Sequence, residues 1–179
     1  MTLPRLSPAR YEVLVIPFLF LVESPFSGAY SMEKNPGLAS DEWYVRLIVE
    51  APGESLADSG NVLGQLRGSR MGRDSRDLQE MGQVALSGPG GIALLNLVFP
   101  HPEWKNQAGD YASDYHAPTG KYVDHWEFLV RSDDPERKLT LRWDATAPSP
   151  LLRGSLQDLD TGKKFRLSRP ACFKAIALP

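Results

Sequence analysis

The three histidines of the chain, His101, His116 and His125, fall within one stretch that also carries Glu103, Asp110, Asp114, Asp124 and Glu127. Imidazole nitrogen and carboxylate oxygen are the donors a transition metal needs, three or four of them converging at about 2.0–2.2 Å. One reading is therefore a metal-dependent enzyme built on His101, His116 and His125. The spacing holds neither His-x-His nor His-Glu-x-x-His, and His101 is fixed between Pro100 and Pro102. A second set consists of Asp58, Asn61, Asp74 and Asp77, joined by Glu80, in a polar, Gly-rich stretch. Calcium takes six to eight oxygens and accepts backbone carbonyls from such a loop. Arg67, Arg70, Arg73 and Arg76 share that stretch and offer each acid an ion pair instead. A third set, Trp104, Tyr111, Tyr115 and His116, has the flat rings that stack on sugars, and pairs with calcium as a carbohydrate-binding reading. No Gly-x-Ser-x-Gly elbow, phosphate-binding loop or dinucleotide fingerprint is present.

Composition limits what can hold these side chains. The chain has 179 residues, 42% of them hydrophobic, enough for a real core. Twenty basic against 22 acidic residues leave a formal charge of −2, and no basic run forms a footprint for nucleic acid. Fifteen Gly and 15 Pro favour short strands joined by turns over long helices. The single cysteine, Cys172, excludes an intramolecular disulfide and reads as a small buried hydrophobe.

Alternation then places the elements. Trp43, Val45, Leu47 and Val49 share one face of a strand over 43–50. Residues 51–82 show no periodicity and read as a long loop, which a short helix near Asp74–Met81 would shorten. Residues 83–86 and 92–99 read as a hairpin whose apolar second arm is buried on both faces and ends at Pro100. Residues 101–123 form a second long loop. Beyond it Trp126, Phe128 and Val130 alternate inward, followed by Leu139, Leu141 and Trp143, then strands over 152–158, 163–168 and 172–178. This spacing predicts an all-β fold, an antiparallel β-sandwich, immunoglobulin-like or jelly-roll-like, over 43–179 with two long loops.

The first 31 residues differ from the rest. Arg5 and Arg10 precede an apolar run from Val13 to Val22, and a small-residue segment ends in Ala29-Tyr30-Ser31. That order is the plan of a signal peptide, which implies a secreted, cell-surface or periplasmic protein. Ten apolar residues cover about 15 Å as a helix, half of the roughly 30 Å a membrane span needs. Glu12 and Pro17 fit a signal less well, and the alternative is an N-terminal core strand, or one donated to the next subunit. Residues 32–42 read as a linker.

From Trp126 onward the chain resembles a module recurrent in large secreted bacterial surface proteins. The resemblance rests on the order of Trp126-Glu127-Phe128, then Leu139 to Trp143, then Leu156-Gln157-Asp158-Leu159-Asp160-Thr161-Gly162. The half before is similar to what often precedes that module. It runs from Asp58-x-x-Asn61-x-x-Gly64 through Asp74-x-x-Asp77-Leu78-x-Glu80 to Phe99-Pro100-His101-Pro102-Glu103-Trp104. The resemblance implies an immunoglobulin-like sandwich without enzymatic activity, attached to exported proteins. The leading expectation is thus an exported structural or adhesive protein without a cofactor. Its partners would be other subunits or copies of itself, with calcium and polysaccharide belonging to the alternative.

Overall fold

The computed structural model describes residues 14–23, 42–70, 72–80, 84–87, 91–118, 123–146, 153–167 and 176–178. The protein is all-β. Strands β1 (Leu14–Glu23), β2 (Trp43–Ala51), β3 (Leu56–Gln65), β4 (Val84–Ser87) and β5 (Gly91–His101) lead to a single 3-10 turn, Lys105–Gln107. Then come β6 (Gly109–Tyr111), β7 (Ser113–His116), β8 (Val123–Ser132), β9 (Leu139–Thr146), β10 (Arg153–Asp158), β11 (Lys164–Leu167) and β12 (Ile176–Leu178). One sheet runs β11-β10-β1-β8-β5-β4, with β6 also on β5; the other runs β12-β9-β2-β3-β7. No helix among the described residues is long and apolar enough to cross a membrane.

The two sheets share one core, and alternation explains its membership. Trp43, Val45, Leu47, Val49 and Ala51 of β2 are buried, as are Trp126, Phe128 and Val130 of β8 and Leu139 and Leu141 of β9. Trp143 packs against this cluster from a half-buried position. The indoles of Trp43 and Trp126 meet edge to face across the sheets at 5.3 Å between centroids, and Phe99 meets Phe128 at 6.2 Å. Such ring pairs add about 0.5–1.5 kcal/mol to the burial itself. Leu95 through Phe99 are all buried, as the apolar second arm of the hairpin requires.

Five sequence expectations need correction. Residues 51–82 are not a loop throughout, because β3 lies within them, paired along β2. Its apolar alternation is hidden by a bulge: the register shifts between Leu47 and Val49, so one extra residue of β3 sits opposite β2. The phase slips at Ser59-Gly60, and Leu56, Asp58, Asn61 and Leu63 all become buried. Gly64 is required where β2 passes, since a Cβ there would stand 2.3 Å from the Trp43 carbonyl oxygen. The stretch 72–80 holds turns and one bridge, Gln79 to Tyr111, in place of a helix.

The second loop also contains strands. β6 pairs with β5 through Pro100 and His101, so Pro100 does not end the strand. Proline is tolerated there because that strand position has no need of its missing N–H. β7 pairs with β3 in parallel, which makes that sheet mixed instead of wholly antiparallel. The strand expected over 172–178 is described only at Ile176–Leu178, on β9, and Cys172 lies outside the described residues.

Strand β1 occupies the middle of its sheet. Residues 14–23 pair with 123–132 of β8 on one side, and residues 18–23 with 153–158 of β10 on the other. Ile16, Phe18 and Phe20 stand in register with Val130, Phe128 and Trp126.

Candidate functional site

The histidine-rich segment assembles where β5, β7 and β8 end together. His101 is the last residue of β5, Glu103 lies in the turn after it, Asp114 and His116 belong to β7, and Asp124 opens β8. The side chains form a line. Glu103 Oε1 lies 2.8 Å from His101 Nδ1, and His101 Nε2 lies 3.5 Å from Asp114 Oδ2. Asp114 Oδ1 lies 3.6 Å from His116 Nε2, and His116 Nδ1 lies 3.0 Å from Asp124 Oδ2. Gln65 of β3 donates to Asp124 Oδ2 at 2.8 Å, and Trp43 Nε1 donates to Gln65 Oε1 at 3.2 Å. The indole of Trp126 donates to the Asp114 carbonyl at 3.1 Å. His101 stacks on Trp104 at 3.7 Å and His116 on Trp126 at 4.6 Å, which holds both imidazole planes.

Asp114 is the centre of this line. Its side chain is 6% exposed, and each carboxylate oxygen faces one imidazole Nε2. An ionised carboxylate only accepts, so the Nδ1 atoms of both rings carry the protons that reach Glu103 and Asp124. A neutral ring of that tautomer would turn an Nε2 lone pair on the Asp114 carboxylate; a charged ring turns an N–H on it. Burial works against charge on His101, but the carboxylates of Asp114 and Glu103 outweigh it and raise its pKa. For His116 burial is likewise outweighed, by the Asp124 hydrogen bond and the Asp114 and Asp124 charges. Asp124 is held below the usual carboxylate range: burial pushes it up, and the bonds from His116 and Gln65 more than offset that. Glu103 is lowered against burial by His101.

His125 does not join the cluster. It is exposed on β8, between inward-facing Asp124 and Trp126. The three-histidine metal site is therefore not assembled, and among the described residues no group of three or more His, Cys, Asp or Glu is placed to hold a metal ion.

The acids proposed for calcium are spent in separate places. Asp58 is fully buried; its Oδ2 accepts from the Leu97 amide at 2.7 Å and its Oδ1 from Gly60 at 3.3 Å. Residues 95–98 of β5 lie between the stretches that pair with β4 and with β6, so Asp58 reaches across the core to an amide in that interval. Asn61, equally buried, has no hydrogen-bond partner among the described residues for either side-chain atom. Asp74 accepts from the amides of Arg70 and Arg76, and Asp77 from those of Asp74 and Tyr115. Burial raises the Asp77 pKa, with those amide bonds opposing. Carboxylates closing tight turns in this way are local backbone chemistry. Glu80 contributes its amide, to the Asp110 carbonyl at 2.9 Å.

The aromatic set is packed inward. Tyr111 is 1% exposed and its hydroxyl donates to the Gln107 carbonyl, so it offers no ring face to a sugar. Trp104 lies between His101 and Tyr111, and Tyr115 is half-buried on β7. The structure brings His116 and Trp104 to the imidazole line and leaves Tyr115 beside it. Gln65 carried no sequence signal at all; its role appears only because β3 brings it beside β8. Comparison with protein-family models, with curated proteins and with solved structures finds no match to this chain.

Proposed function

We propose that this chain is a non-catalytic structural or adhesive protein, exported to the cell surface, that works by strand pairing between copies of itself. The observation that carries the reading is the central placement of β1. It precedes every other described strand in sequence, yet it joins β8 to β10, two strands of the second half. Residues 24–42 separate it from β2, a length that reaches roughly 60 Å when extended. A strand on so long a connection can pair within its own sheet or in that of a neighbour, the condition for strand exchange. This supports a retained strand over a cleaved leader, so export rests on the motif order from Trp126 onward.

The test uses the register pair Leu19 and Glu127. Leu19→Cys with Glu127→Cys, in a chain carrying Cys172→Ser, is oxidised and resolved by denaturing electrophoresis without reductant. Exchange gives a ladder of covalent dimers and higher species that grows with protein concentration. Cross-linked monomer alone, at every concentration, overturns the reading.

A further inference from the structure

We propose that the line Glu103–His101–Asp114–His116–Asp124 is a proton-dependent latch, holding β7 on the body when both imidazoles are charged and releasing it when they are neutral. The inference stands apart from the exchange of β1.

The geometry carries it. The latch joins the end of β5, the turn after it, β7 and the start of β8 through side chains only 13–14% exposed at the two imidazoles. With both rings charged, each Asp114 oxygen faces an imidazolium Nε2 at ion-pair distance, 3.5 Å for His101 and 3.6 Å for His116, and each imidazolium lies between two carboxylates. With both rings neutral, a buried carboxylate keeps two lone pairs as neighbours, an arrangement that favours separation. The charges facing the line are Glu103 from the turn, Asp124 from β8, and Asp77, which acts on Asp114 from the 72–80 segment. Each imidazole also disfavours charge on the other, as His101 does on His116, but the three carboxylates outnumber them. Gln65, Trp43, Trp104, Tyr111 and Trp126 complete the surroundings.

The consequence lies at the edge of the second sheet. β7 is an edge strand, and it covers β3 over Val62–Gln65 by parallel pairing. Release of β7 bares that stretch of β3, an open template for another strand. Both histidines have folded pKa values raised above the usual 6.5. Their contribution is therefore fully present below about pH 6.5 and is lost as pH rises through the raised values. Each unit of elevation changes the closed-to-open ratio about tenfold.

The experiment is an NMR titration of the His101 and His116 ring protons in the full chain. It is combined with amide hydrogen exchange at residues 113–116 between about pH 5.5 and 8.5, corrected for intrinsic exchange. Both rings are expected to titrate above about 6.5, and protection of 113–116 to fall about tenfold per unit of elevation. Asp114→Asn should lower both histidine pKa values together and flatten the protection profile. Either ring titrating at or below 6.5, or protection flat across the range, overturns the latch. The unsubstituted chain alone decides this if Asp114→Asn does not fold.

Discussion

Asp58 and Asp114 are both buried carboxylates, yet the two regions around them behave as different materials. Asp58 is satisfied by backbone amides, from Leu97 across the core and from Gly60 at the bulge. Amides do not titrate, and that contact ties two strands of opposite sheets together. Asp114 is flanked by two imidazoles, which do titrate near neutrality. The first carboxylate fastens the sheets; the second makes the attachment of an edge segment conditional. What separates them is the partner, and the partner is set by which strand lies opposite.

The largest effect that would sharpen this contrast is at Asp58. Asp58→Ala leaves the buried Leu97 amide without an acceptor and should cost about 3 kcal/mol in chemical denaturation. A loss below about 1 kcal/mol would mean that amide has another acceptor and that the fastening role is misplaced. Next comes Asn61, buried with no partner among the described residues for either polar atom. Asn61→Leu keeps the branched shape, with two methyl groups in place of the amide oxygen and nitrogen, and should stabilise the chain by about 1 kcal/mol, read as a higher denaturation midpoint. Destabilisation would show that Asn61 has a partner in the core, making the region around Asp58 a wider polar network. The smallest effect belongs to the histidine outside the line. His125→Ala should change stability by no more than about 0.5 kcal/mol and leave the pH dependence of residues 113–116 untouched. A change in that dependence would extend the conditional region onto the outer face of β8.

Much of the fold was legible from period-two alternation, which announced β2, β8, β9 and both arms of the β4–β5 hairpin. Where a strand buries polar residues, the signal fails. β3 reads as loop because its inward positions include Asp58 and Asn61 and because the bulge breaks the period at Ser59-Gly60. β6 and β7 read as loop because each is short, and because prolines at 100 and 102 look like terminators. The candidate site was half visible. His101, His116 and the acids near them stand close in sequence, but so does His125, and alternation along β8 separates it from them.

By itself the sequence determined the class of the fold, because a hydrophobic period of two over several short segments can only be buried by sheets facing each other. It also determined that imidazoles and carboxylates would be neighbours, because they crowd one stretch of chain. Only the tertiary structure decided which of them touch. Register and edge position put Asp114 between two rings, put Asp58 on an amide of the opposite sheet, and put an N-terminal strand between β8 and β10. Those are long-range pairings, chosen by how two sheets pack together, and no local pattern of residue types encodes them.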